Sequence, residues 1–248
     1  AGLVAPDTIA GSLSRIAGED AGTYAITKGT LSAGPNYAIS YTGADLVIGR
    51  ASLTIAATDR TVTYGGATPV LAWSASGFVN GDDGSVLAGA PALSTTYTST
   101  SPAGTPVAIS IAAGTLASAN YDLVFTDGTF TVTKAPLSVN AADAAKTYGD
   151  ADPSFGATLS GFRNGETAIT AGVTGAASCS RVAGENVADG PFAISCLPGT
   201  LSAANYRFVA GTAGELTIGR KPLAITADAK AKTYGETDPV LTYESAGL

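Results

Sequence analysis

The chain has 248 residues, with 13 Lys and Arg against 20 Asp and Glu, a net charge of −7, and no histidine. An acidic chain with no Lys/Arg cluster is poorly matched to phosphate backbones and anionic lipid surfaces, so neither nucleic acid nor membrane insertion is expected; the missing histidine removes the commonest general base and zinc ligand. Charged residues are 13% of the chain, well under the usual level of about 25%, glycine is abundant at 31, and much of the 45% hydrophobic content is alanine.

Residues 1–50 contain SLSRIAGEDAGTYAITK (12–28), which reads as a hairpin, followed by GTLSAGPNYAISY (29–41) and the alternating strand DLVIGR (45–50). ASLTIAA (51–57) then places Leu53 and Ile55 on one face at period two, the spacing of a strand. Tyr64-Gly65, Thr68-Pro69 and an apolar stretch ending at Gly77-Phe78 lead into the turn NGDDG (80–84). The hairpin LSTTYTSTSPAGTPVAISI (93–111), GTLASANYDLVF (114–125) and the strand GTFTVTK (128–134) complete the series.

The same order begins again at residue 135. APLSVNAA (135–142) carries Leu137 and Val139, and Tyr148-Gly149, Asp152-Pro153, Gly161-Phe162 and NGE (164–166) follow. SCSRVAGENVADGPFAISC (178–196), GTLSAANYRFV (199–209) and GELTIGR (214–220) close the unit. A last stretch repeats the opening alone: KPLAITAD (221–228), Tyr234-Gly235, Asp238-Pro239 and Gly247-Leu248.

Two independent markers share one period. The Tyr-Gly pairs recur 84 and 86 residues apart, and the Asn-Tyr pairs at 36, 120 and 205 recur 84 and 85 apart. Gly and Pro interrupt every candidate helical window, and short strands with frequent turn signals indicate sandwiches. The expected fold is therefore all-β: tandem Ig-like β-sandwich repeats, with the second half of one at 1–50, complete repeats at 51–134 and 135–220, and the first half of another at 221–248. The chain opens in mid-pattern and has no methionine, which reads as a piece of a longer protein whose targeting signal lies elsewhere.

Cys179 and Cys196 sit near the two ends of one hairpin, and other repeats place Leu13 and Lys28, or Ser94 and Ile111, at those points. A pair that other copies dispense with is not catalytic; a cross-strand disulfide, worth about 3 kcal/mol in the chain-entropy model, is the expectation, and it implies an oxidising compartment.

Written out, the unit resembles the MBG domain of the YGX type. The resemblance rests on Leu-x-Ile-x-Ala, Lys-x-Tyr-Gly-x-x-Asp-Pro, Gly-Phe-x-Asn-Gly, the Ala-Ile-Ser hairpin, Gly-Thr-Leu-Ser-Ala-x-Asn-Tyr and the closing strand, recurring in that order. Such domains occur in strings in large bacterial surface and secreted proteins, including haemagglutinin-like adhesins. The resemblance implies a non-enzymatic stalk or spacer, at the cell surface or secreted, whose partners are neighbouring repeats. The alternative is a carbohydrate- or receptor-binding adhesive module recognising a host or cell-surface glycan. The family brings no shared catalytic or ligand-binding set, and no cofactor is expected.

Asp150 and Asp152, with Asp143 and the acids of the next unit, offer oxygens to calcium. Asp beside Gly and Pro is equally a tight-turn former, and the first complete repeat carries Gly66 and Thr68 instead, so the turn reading is preferred. Tyr64, Gly65, Tyr148, Gly149, Tyr234 and Gly235 are assigned to a structural turn, and the Asn-Tyr rings resemble the tyrosine corner of sandwiches. Trp73, the only tryptophan, aligns with Ala157 and Thr242; it is either a unit-specific core filler, the preferred reading, or a glycan-stacking surface residue. The two half-repeats raise one more expectation, head-to-tail self-association between molecules.

Overall fold

The computed structural model describes residues 2–246, so Gly247-Leu248, the last copy of the Gly-Phe marker, lies outside the described residues. In residues 1–50 the strands are β1 (Ser14–Arg15), β2 (Gly22–Thr27) and β3 (Ala44–Ile48). The next repeat supplies β4 (Ala51–Ala57), β5 (Arg60–Thr63), β6 (Trp73–Ser76), β7 (Ala92–Thr95), β8 (Val107–Ala112), β9 (Tyr121–Thr126) and β10 (Gly128–Thr133). Its successor supplies β11 (Ala135–Ala141), β12 (Ala144–Thr147), β13 (Ala157–Ser160), β14 (Ser178–Arg181), β15 (Phe192–Leu197), β16 (Tyr206–Ala210) and β17 (Gly214–Gly219). The last stretch forms β18 (Ala224–Ala227) and β19 (Tyr243–Ala246).

Both complete repeats build the same pair of sheets. One is three-stranded, β6-β4-β9 and β13-β11-β16; the other is four-stranded, β5-β10-β8-β7 and β12-β17-β15-β14. The fold is all-β, in tandem repeats, as the alternation indicated. The pattern did not reveal the parallel pairs: β4 runs parallel to β9, with Ala51 opposite Tyr121 and Ile55 opposite Phe125, and β11 runs parallel to β16. Side-chain alternation is blind to strand direction, because period two is the same in both ladders.

Alternation does fix which face is buried. Leu53 and Ile55 of β4 are fully buried with Ile109 of β8 and Phe130 of β10, and Leu137 and Val139 of β11 with Ile194 of β15 and Leu216 of β17. Each such side chain contributes on the order of 1.5–3 kcal/mol by leaving water, so a few large residues hold each sandwich while alanine and glycine fill the rest.

By packing, the chain divides into two compact units that do not follow the sequence repeats. The first comprises residues up to Val62, with Ala67–Thr98 and Pro106–Thr131; the second takes Thr63–Gly66, Ser99–Thr105 and everything from Val132 on. The Tyr64-Gly65 turn and the hairpin loop 99–105 therefore pack as part of the repeat that follows their own.

Candidate functional site at the repeat junctions

Within the second unit, Tyr64 sits in a tight turn closed by Gly66 N donating to Thr63 O at 2.8 Å. Gly65 has φ +78°, the left-handed conformation a type II turn needs at its third position. A Cβ on Gly65 would lie 2.4 Å from Arg163 Cβ, so glycine is required here by conformation and by space together.

Opposite the turn, residues 163–166 form a second one. Glu166 N donates to Arg163 O at 2.9 Å, and Asn164 takes a positive φ of 52°, a conformation that asparagine tolerates. Tyr206, the first residue of β16, clasps this turn: its hydroxyl accepts from Arg163 N at 2.8 Å and donates to Glu166 Oε2. Tyr64 reaches the same carboxylate, its hydroxyl donating to Glu166 Oε1 at 2.6 Å, with its ring edge-on to Tyr206 at 5.6 Å. Asn164 and Asn205 also face the Tyr64 hydroxyl. One carboxylate thus holds a tyrosine from each of two repeats. Burial, then the bond to Glu166, raises both phenols, Tyr206 to about 12, so neither ionises at ordinary pH.

Asn205 adds a stitch of its own, its Oδ1 accepting from Ala103 N at 3.0 Å. Nearby, Lys134 Nζ donates to Ala203 O, Asn164 Nδ2 donates to Ser99 O, and Gly65 N shares that carbonyl. Within the first unit the preceding junction repeats the stitch: Asn120 Oδ1 accepts from Ala21 N at 2.9 Å and its Nδ2 donates to Asp20. The tyrosine clasp recurs as well, Tyr121 on Val79 and Asp82, and Tyr37 on Val4 and Asp7. The recurring Asn-Tyr pair therefore has two tasks: the asparagine ties its repeat to the one before, and the tyrosine holds the acid turn of its own repeat.

The remaining sequence candidates fall elsewhere. Tyr148 is 46% exposed and Tyr234 fully exposed, each followed by a left-handed glycine, Gly149 or Gly235, with open space around it. Asp152 does not face outward for an ion. Its oxygens take Lys146 Nζ at 2.8 Å and Arg181 Nε at 2.7 Å, and Glu185 joins the same two cations in a four-membered ionic ring. Arg181 and Lys146 hold the Asp152 carboxyl down to about 2, and Lys146 and Arg181 lower Glu185. Asp150 gives only its backbone carbonyl to Lys146. Among the described residues no group of three or more His, Cys, Asp or Glu is poised to hold a metal.

Cys179 and Cys196 are bonded across β14 and β15, where their Cα atoms face one another 4.1 Å apart. Their counterparts in the repeat before are Leu93 and Ile111; the structure corrects the alignment by one residue, since Ser94 faces Ser110. Trp73 starts β6 opposite Ala57 and is 36% exposed. It is not the core filler preferred from sequence, since it begins an edge strand with over a third of its surface exposed. Its counterparts are Ala157, opposite Ala141, and Tyr243, opposite Ala227, rather than Thr242. Ala157 lines a surface hollow of about 240 Å³. The acid turn at Glu166 was missed as a site; the shared Asn-Gly-acid spacing at 80–82 and 164–166 was its sequence signal.

A family model described as MBG domain (YGX type) matches residues 1–47, 53–131 and 137–217. Among curated proteins and among solved structures, none matches the chain.

Proposed function

The chain belongs to the MBG domain (YGX type) family, and we propose that it serves as a non-enzymatic stalk or spacer in a bacterial surface or secreted adhesin, holding a distal region away from the cell. The observation that carries this reading is the junction. The Asn120 and Asn205 stitches are the same bond made twice, each tying one repeat to the next. A peptide of only a few residues joins closing and opening strands, Thr133 to Ala135 in one case, so little bending freedom is left. The disulfide supports an oxidising location, and no helix among the described residues is long and apolar enough to cross a membrane.

The test is the spread of distances between spin labels at Ser110 and Ser195, both exposed strand positions in successive repeats. A spacer gives one narrow distance that Asn205→Ala broadens. A broad distribution in the unsubstituted chain would refute the reading.

A second reading, an adhesive module for a host or cell-surface glycan, is supported by Trp73, whose ring is partly open to solvent. Glycan-array binding lost in Trp73→Ala would favour it over the spacer.

A further inference from the structure

The first and last stretches of a complete repeat run side by side. In the repeat from 135, Ala135 N donates to Asn205 O at 3.0 Å, and β11 then follows β16 in parallel, from Ala135 opposite Tyr206 to Val139 opposite Ala210. The pairing continues where the chain passes from one sheet to the other. There Gly211 N donates to Val139 O, Ala141 N to Thr212 O and Glu215 N to Asp143 Oδ1, each at 2.9 Å. Gly214 keeps the two segments close at this crossover, since a Cβ on it would lie 2.7 Å from Ala142 O. β12 and β17 carry the parallel pairing on, from Ala144 opposite Leu216 to Thr147 opposite Gly219, and Tyr148 N donates to Gly219 O.

The preceding repeat is built alike. β4 follows β9 in parallel, Thr129 N donates to Asp59 Oδ1 at 2.7 Å at the crossover, and Gly128 lies against Ala57 O. Beyond it Tyr64 N donates to Thr133 O. The stretches farthest apart in the sequence of a repeat thus form one continuous parallel pair.

That pairing has a mechanical consequence. In a string of repeats under tension, load enters at the start of β11 and leaves at the end of β17. Because the two segments are parallel, these points lie at opposite ends of the pair. Tension therefore slides one segment along the other and loads the evenly spaced bonds between them together. Force on facing residues at one end would instead open them one at a time. Neither end strand can peel from an edge, since β11 lies between β13 and β16, and β17 between β12 and β15. Sliding must also drag the fully buried Leu137, Val139 and Leu216 through the core.

We propose that each complete repeat is a force-bearing element, its paired end segments acting as a shear clamp. The inference rests on the spacer reading, which sets the direction of load. The Cys179–Cys196 disulfide joins β14 to β15, outside the clamp. It limits how far the chain extends once the clamp has failed, and does not set the force at which it fails.

Single-molecule pulling on the oxidised whole chain tests this with two placements of handles. Handles at Lys134 and Arg220, both exposed, load the clamp along its length. Handles at Lys134 and Arg207 pull on facing ends, because Arg207 is opposite Pro136. The first placement is expected to need a several-fold higher rupture force at the same loading rate; equal forces overturn the proposal. Reduction is expected to leave the lengthwise rupture force unchanged while the released extension grows by about 55 Å, from 17 residue steps of about 3.5 Å less the closed bridge. A rupture force that collapses to the facing-end value on reduction overturns the proposal as well. Both handles sit on one repeat, so failure here leaves the rigidity between repeats, read by the spin labels, unaffected.

Discussion

Tyr64 and Tyr148 occupy the same place in successive repeats and share the same turn, yet one is 3% exposed and the other 46%. Gly66 N donates to Thr63 O behind the first, and Asp150 N to Thr147 O behind the second. The turn is therefore a local product of Tyr-Gly, while burial of the ring is not. Tyr64 is buried because an acid turn from the next repeat, Glu166 clasped by Tyr206, meets it. The turn closes in the same way at both places, and the contact of Tyr64 with Glu166 is what sets the two rings apart.

That contrast is broken most directly by truncating the two rings. Tyr64→Ala is expected to destabilise the chain by about 3 kcal/mol, in the range for buried aromatics, and Tyr148→Ala by under about 0.5 kcal/mol, as for surface positions; urea unfolding of both variants measures the difference. Comparable losses from the two would mean that the turn, not the junction, carries the stability.

The next contrast is covalent. The repeat from 135 has Cys179–Cys196 where its predecessor has Leu93 and Ile111. Reduction is expected to cost about 3 kcal/mol in the chain-entropy model, with protease cleavage or amide exchange rising in residues 135–220 and unchanged in 51–98.

A smaller effect is expected from Glu166→Gln, which keeps the shape but loses the charge that receives two hydroxyls. About 1–2 kcal/mol should disappear, the cost of weakening charge-assisted bonds to buried donors, and calorimetry will read it.

Acid separates the repeats in another way. Asp152 and Glu185 have lowered carboxyl pKa values in the fold, so their stabilisation is complete above the unfolded carboxyl range, near 4. It falls away as pH drops from there toward about 2, the folded value of Asp152. The repeat at 51–134 has Val62 and Thr68 in place of Lys146 and Asp152 and lacks this dependence; amide exchange at pH 3 should loosen residues 144–152 and 181–185 before 60–68. The smallest change is expected from a chelator: a melting temperature shifted by calcium removal would return Asp150 and Asp152 to consideration as ligands.

Much of this architecture was written in local sequence. Two markers at one period gave the repeat, alternation at Leu53/Ile55 and Leu137/Val139 gave the buried face, and Tyr-Gly with a left-handed glycine gave the turn. These are short-range properties: side-chain spacing and backbone conformation are set within a few residues.

What only the tertiary structure decided lies between segments far apart in the chain. It paired β4 in parallel with β9, turned the Asp152 carboxylate toward Arg181 and Lys146, and left Trp73 at an open strand end rather than in the core. Above all it brought Tyr64 to Glu166, 102 residues away. The physical reason is the same throughout. A hydroxyl or carboxylate shows its own chemistry in the sequence, but its partner is chosen by the packing of another repeat.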